Sequence, residues 1–185
     1  MSVAAIDPHG GPWTEDDYFA LGESNERIEL IDGSLYMTPA ASSEHQRCSR
    51  YLANLLEEAA PLGFDVIEAV NLRLGRDRIL IPDIVVTTRL DEEVKFFDPA
   101  DIALVAEIAS PSNATTDRVL KSHLYAAAGI ETYLRVELGE HGPVLYLHRL
   151  RDTAYALVAE GGKGHPLRLD RPFPAEIDPA RLLSR

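Results

Sequence analysis

Hydrophobic and polar positions change period several times along this chain, and each change marks an element. Thr14 followed by Glu15, Asp16 and Asp17 reads as an N-cap with acids in a first helical turn, opening a short helix to about Leu21. The dozen residues before it are punctuated by Gly and Pro and are expected to be loose. Arg27 to Ile31 reads as a strand, Asp32-Gly33 as a hairpin turn and Ser34 to Thr38 as the return strand. After a loop at Pro39–Ser43, leucines at positions 52, 55 and 56 share one face of a helix predicted from about Ser43 to Ala59, which Pro61-Leu62-Gly63 ends. Phe64–Ala69 and Asn71–Leu74 read as strand material. The turn Gly75–Arg78 leads into an apolar run, Ile79–Thr88. A charged loop containing Pro99 precedes the strand Ile102–Ala109, which Ser110-Pro111-Ser112 stops, this tripeptide being read as a turn and helix cap. A helix from about Asn113 to Ala128 is closed by Gly129. Strands follow over Glu131–Val136, Val144–Arg149 and Tyr155–Ala159, then a last helical segment near Pro179–Leu183. No repeat or linker divides the chain, so residues 1–185 are expected to form one domain. Helices lying between groups of strands predict an α/β fold, a central mixed sheet flanked by helices.

Two acids interrupt that pattern. Glu107 lies inside the apolar run Ile102–Ala109, and Asp83 inside Ile79–Thr88. An isolated buried carboxylate is costly unless a cation, a metal or hydrogen bonds compensate it. If the two strands are neighbours, both carboxylates can converge on one divalent cation. Mg²⁺ is satisfied by one or two carboxylates, waters and a substrate phosphate. The bland alternatives are a turn acid after Pro82 and a strand-end acid in solvent.

The helix after Glu107 adds a base. At about 100° per residue, Leu120, Leu124, Ala127 and Ala128 gather around Asp117, with Lys121 on the shoulder of that face and Arg118, Ser122 and Ala126 turned outward. Opposite charges therefore sit on or beside the face that packs on the sheet. A partly buried ion pair, or a lysine snorkelling past the core, is the commoner reason for such a pattern. The strand carrying Glu107 immediately precedes this helix, which favours the functional reading. Glu29 is a further candidate: alternation sets it opposite Ile28 and Leu30, where solvent exposure beside Arg27 is the usual outcome. His45, at the start of the long helix, and Tyr125, one turn after Lys121, are accessory candidates for proton or carboxylate contacts.

Composition narrows the function. With 18 basic and 30 acidic residues the net charge is −12, which argues against holding long nucleic acid through a broad basic surface. It does not exclude an enzyme that meets a few phosphates through a metal. One cysteine, Cys48, excludes an intramolecular disulfide and a Cys-only zinc site, and the six histidines lack zinc-like spacing. No Walker loop, G-x-G-x-x-G or G-x-S-x-G occurs. No signal peptide and no membrane-length apolar stretch is seen, so a cytoplasmic protein is expected.

The ordered series Glu29-Leu30-Ile31-Asp32-Gly33, Pro39, Glu44-His45-Gln46, Pro82-Asp83, Glu107-Ile108-Ala109-Ser110-Pro111-Ser112, Asp117, Lys121, Tyr125, Ala128-Gly129-Ile130 and Tyr133 resembles the Uma-type restriction-endonuclease family of the PD-(D/E)XK nuclease superfamily. The likeness runs from about Thr14 to beyond Tyr155. It implies a restriction-endonuclease-like core and Mg²⁺- or Mn²⁺-dependent cleavage of phosphodiester bonds in nucleic acid, DNA first. It implies Asp83 and Glu107 as metal ligands, with Glu29 beside them and Asp117 among the accessory residues. Ala109 stands where the superfamily lysine would be, and Lys121 takes that role in the Uma-type variant. Ser34 replaces a frequent acid, and Leu134 a frequent tryptophan. A homodimer is expected because many nucleases of this superfamily must reach two strands. Two other readings stay open: a catalytically silent binding or regulatory module on the same fold, in which Asp83, Glu107 and Lys121 form a metal-free charge network, and a hydrolase of small phosphodiesters.

Overall fold

A computed structural model of the chain describes residues 11–22, 26–90, 94–109 and 116–183, with side chains from 119 onward in the last stretch. The N-terminal stretch expected to be loose, the Ser110–Ser112 turn and the Asp117 side chain lie outside the described residues. Helix α1 (Glu15–Ala20) has the expected cap: the Thr14 hydroxyl accepts from the Asp17 N–H, and the Asp17 carboxylate accepts from the Thr14 N–H at 3.0 Å. Strands β1 (Arg27–Ile31) and β2 (Ser34–Thr38) form the hairpin, with Asp32 at φ 50° and Gly33 at φ 76°. Both turn residues are left-handed, as a type I′ connection requires. Helix α2 (Ser43–Ala59) starts at Ser42, whose hydroxyl accepts from the His45 N–H, so His45 is fixed in the first turn.

The run Ile79–Thr88 departs from expectation. It is two strands, not one: β5 (Arg78–Leu80) and β6 (Ile84–Thr87), and they belong to different sheets. Asp83 therefore sits in the break between strands. Pro82 supplies the reason, since it has no N–H for a ladder and restricts the residue before it. β5 joins β4 (Leu72–Gly75), β1 and β2 in a four-stranded sheet of order β2-β1-β5-β4. β6 joins β3 (Asp65–Glu68), β7 (Ile102–Ala109), β8 (Thr132–Gly139), β9 (Gly142–Arg151) and β10 (Ala154–Gly161) in a six-stranded sheet of order β10-β9-β8-β7-β6-β3. Only β7 and β8 pair in parallel within that sheet, and α3 (Thr116–Ala127) is the connection between them. The sequence assigns no strand between Ala159 and Pro179, yet this tail carries a small hairpin, β11 (Leu167–Leu169) with β12 (Ala175–Ile177), before its 3-10 turn at Pro179–Leu182.

Alternation along β6 and β7 sorts the core into two layers. Ile84, Val86, Leu104, Ala106 and Ile108 pack with Cys48, Leu52 and Leu56 of α2. Leu134, at the position of the frequent tryptophan, is fully buried in that same layer. Val85 and Val105 pack on the opposite face with Leu124 and Tyr125 of α3, together with Ile31 of β1. Glu107 shares the α3 face by the same alternation. α3 ends in a Schellman cap: Gly129, at φ 81°, donates to the Ala126 carbonyl, and Ile130 donates to the Tyr125 carbonyl at 3.2 Å. Ala126, turned outward by the helical period, is instead buried; the helix also touches β10, the edge strand of the six-stranded sheet.

The hairpin turn is tightly constrained. A Cβ on Gly33 would meet the Pro12 side chain at 2.7 Å in addition to carrying a positive φ. Gly33→Ala is expected to destabilise the protein by about 1–3 kcal/mol in urea unfolding. An unchanged midpoint would show that the turn is not held in this conformation.

Candidate active site

Where the chain crosses from one sheet to the other, side chains take over the work of the ladders. β1 and β5 pair as far as Leu30 with Ile79. Beyond that pair, Ile81 donates its N–H to the Glu29 carboxylate (Oε1) at 2.7 Å, and the Arg27 guanidinium donates to the Ile81 carbonyl. One residue further along, β6 and β7 pair from Ile84 with Ala106. Continuing that register would set Pro82, with no donor, against Ile108. The Asp83 carboxylate fills the place: its Oδ2 accepts from the Ile108 N–H at 2.7 Å. Asp83 Oδ1 takes the Arg27 guanidinium at 2.6 Å, and His45 Nε2 lies 3.2 Å from Oδ2.

α3 supplies the second half. Lys121 Nζ donates to Glu29 Oε1 at 2.8 Å and to Glu107 Oε1 at 3.3 Å, tying the two sheets together through one ammonium group. The Tyr125 hydroxyl donates to the same Glu107 oxygen at 2.6 Å. Lys121, Glu29 and Asp83 are all buried, at 5%, 2% and 5% exposure. These values decide against two of the bland readings: Lys121 does not snorkel to the surface, and Glu29 is not a solvent-facing partner of Arg27. The face opposite Ile28 and Leu30 is covered by α3, so the alternation rule places Glu29 on the correct side of the strand while that side is interior.

Three carboxylates, Glu29, Asp83 and Glu107, thus face two fixed cations, Arg27 and Lys121. The imbalance falls on Glu107. Burial is the main cause pushing its acid up to about 7; Lys121 and Arg27 oppose this, while Asp83 and Glu29 add to it. Asp83 goes the other way. Burial alone would raise it, but the His45 hydrogen bond, the Arg27 charge and the Ile108 N–H together hold it well below the usual carboxylate range. Burial and the Glu107 charge push the Tyr125 hydroxyl far up, so it stays a donor to Glu107.

Of the residues singled out by sequence, Asp83, Glu107, Lys121, Glu29, His45 and Tyr125 are all brought into this one network. Arg27 is the participant that the sequence reading assigned to the surface. Its signal was available: it stands two residues before Glu29 on the same strand, hence on the same face.

The comparisons agree with this architecture. A family model described as "Putative restriction endonuclease", Uma2, matches residues 15–182. The chain belongs to this family. A crystal structure described as "a putative nuclease belonging to DUF820" from Anabaena variabilis ATCC 29413 is 18% identical, with a TM-score of 0.69, covering 93% of this chain and 98% of that one. That likeness shows the fold. No curated protein matches the chain. Among the described residues, no helix is long and apolar enough to cross a membrane.

The donor set fits the divalent cation that the Uma2 likeness implies. Among the described residues no three His, Cys, Asp or Glu side chains group to hold a metal ion, so any ion there would take its remaining ligands from water or substrate. One carboxylate on β7 and one at the entry to β6, with one acid more than the fixed cations compensate, suit an ion such as Mg²⁺ that keeps several waters.

Because the folded value for Glu107 lies above its ordinary 4.5, the folded protein holds a proton between about pH 4.5 and 7 that the unfolded chain has lost. Stability therefore falls as pH rises through that window. Glu107→Gln is expected to match the wild type near pH 4.5 and to exceed its melting temperature by several degrees at pH 8. A difference that stays flat across this range in thermal unfolding would show that Glu107 is not strained by its surroundings.

Proposed function

We propose that this protein is a divalent-metal-dependent endonuclease that hydrolyses phosphodiester bonds of nucleic acid, DNA in the first instance. One observation carries the reading: Asp83 and Glu107 stand at facing ends of neighbouring strands, and Lys121 reaches them from a helix and not from the position of Ala109. Core packing alone gives no reason to bury Glu29, Asp83 and Lys121 beside a partly exposed Glu107 and Arg27.

In this reading Asp83 and Glu107 would hold Mg²⁺ or Mn²⁺. Such an ion, when bound, neutralises phosphate charge and lowers the pKa of a bound water. The chain's own groups do the rest. Lys121 holds a positive charge beside the metal carboxylates, where it stabilises charge developing on the phosphate or fixes the attacking water. Glu29 positions Lys121 and, through Ile81, the turn that presents Asp83. Tyr125 fixes the Glu107 carboxylate, and His45 fixes Asp83. A homodimer accompanies this proposal, since one such site cuts one strand at a time.

A second reading has its own support. Asp83 is already bonded on both oxygens without any metal, and the net charge of −12 disfavours duplex capture. A silent binding module on the nuclease fold accounts for both facts. Plasmid incubated with the pure protein separates the two. Nicking is expected with Mg²⁺ or Mn²⁺, is expected to stop on chelation, and is expected to fall by about 100-fold or more in Asp83→Asn, Glu107→Gln and Lys121→Met. Nicking that persists with chelator, or is equal in all three variants, rules out the enzyme reading; no nicking by the wild type favours the silent module.

A further inference from the structure

Resting on the metal reading just proposed, we infer that Arg27 is a resident counter-cation on Asp83 that a divalent ion must displace, and that the released guanidinium becomes a ligand for the substrate phosphate. Metal binding in this protein is then an exchange of cations and not the filling of an open site.

The geometry supports exchange. Asp83 Oδ2 is occupied by the Ile108 N–H at 2.7 Å and by His45 Nε2 at 3.2 Å. These partners are rigid: one is backbone in the middle of a sheet, the other sits in the first turn of α2. Oδ1 is held by the Arg27 guanidinium at 2.6 Å. Arg27 is the mobile partner, a long side chain from β1 that is 24% exposed while the Asp83 side chain is 4% exposed. Of the two members of this pair, Arg27 is thus the one within reach of solvent. The hold is also incomplete. Arg27 donates to Asp83 and to the Ile81 carbonyl, yet its buried Nε finds no hydrogen-bond partner among the described residues. A buried donor left unpaired raises the energy of this arrangement and lowers the cost of leaving it.

Charge counting points the same way. With Arg27 and Lys121 in place, Glu29, Asp83 and Glu107 leave these five groups with one negative charge in excess. Replacing Arg27 by a divalent ion brings it to neutrality. Keeping both would leave one positive charge in excess, which the single negative charge of a phosphodiester balances. Arginine suits that second task, because its planar fork matches phosphate oxygens. It also lets an acidic protein offer a local cation to its substrate only once the metal is seated.

Calorimetric titration of Mn²⁺ into the full-length protein tests the exchange. Arg27→Met is expected to bind Mn²⁺ at least about 10-fold tighter than the wild type while melting several degrees lower without metal, because a buried pair loses one member. Should Arg27→Met fail to fold, Arg27→Lys keeps the charge but not the fork spanning Asp83 and Ile81, and is expected to bind Mn²⁺ more tightly than the wild type. In the wild type, nitrogen-15 spectra of the Arg27 guanidinium should shift on Mg²⁺ addition. Equal or weaker Mn²⁺ binding in the folded variants, or an unmoved Arg27 signal at saturating Mg²⁺, overturns the exchange while leaving the metal reading intact. Absence of Mn²⁺ binding in the wild type and in both variants overturns the metal reading and the exchange together.

Discussion

The residue on which this structure turns is Pro82. An apolar run long enough for one strand is cut there, and its halves enter different sheets. A chain leaving one ladder for another strands several backbone groups in the interior, where an unmet N–H or C=O is costly. In this protein the groups that meet them are ionic. Glu29 takes the Ile81 N–H, Arg27 takes the Ile81 carbonyl, and Asp83 takes the Ile108 N–H. The structural need of the crossing and the chemical need of the site are thus served by the same carboxylates. This is why the acids are placed so firmly: each is oriented by backbone, which cannot drift independently of the sheets.

The same economy sets a conflict. Burying three carboxylates against two cations leaves Glu107 strained, and Lys121 relieves it only in part, at 3.3 Å against 2.8 Å for its bond to Glu29. Tyr125 is bonded to the one Glu107 oxygen that Lys121 also uses. A scaffold selected for stability alone would neutralise this acid, since replacing buried ionic groups by well-packed neutral ones is often stabilising. Retaining it fits the proposed function, in which such a site trades stability for chemistry.

How much of this could be read from the chain depends on the range of the interactions. The β1–β2 hairpin, α1 with its cap and α2 are local, and their residues specify them directly: Thr14, Asp32-Gly33 and Ser42 satisfy neighbours within a few positions. Lys121 was legible because helical periodicity fixes a face whatever the partner is. Glu29 was half legible: the face was right, but whether that face met solvent depended on α3, some ninety residues on. The split at Pro82 was hidden because both halves of the run are equally apolar, and which sheet each joins is decided by distant partners, β1 for one and β7 for the other. The β11–β12 hairpin escaped for a similar reason, its three-residue strands being too short to show a period. Arg27 was assigned to Glu29 because neighbours in sequence are the pairs one can see; the structure gives it to Asp83, 56 positions away.

The acidity of the chain weighs differently once the site is in view. A net charge of −12 opposes capture of a polyanion over a wide surface, and screening at physiological salt confines what any charge does to about 8 Å. What matters to a phosphodiester is therefore the balance within that radius. There the two fixed bases are both bound to acids, so the metal-free cluster presents no net attraction to phosphate. A divalent ion reverses the local sign without changing the rest of the surface. On the proposed metal-dependent reading, affinity for nucleic acid is not a standing property of the fold but is conferred by the cation, and selection can keep the exterior acidic without losing the proposed chemistry at the crossing of the sheets.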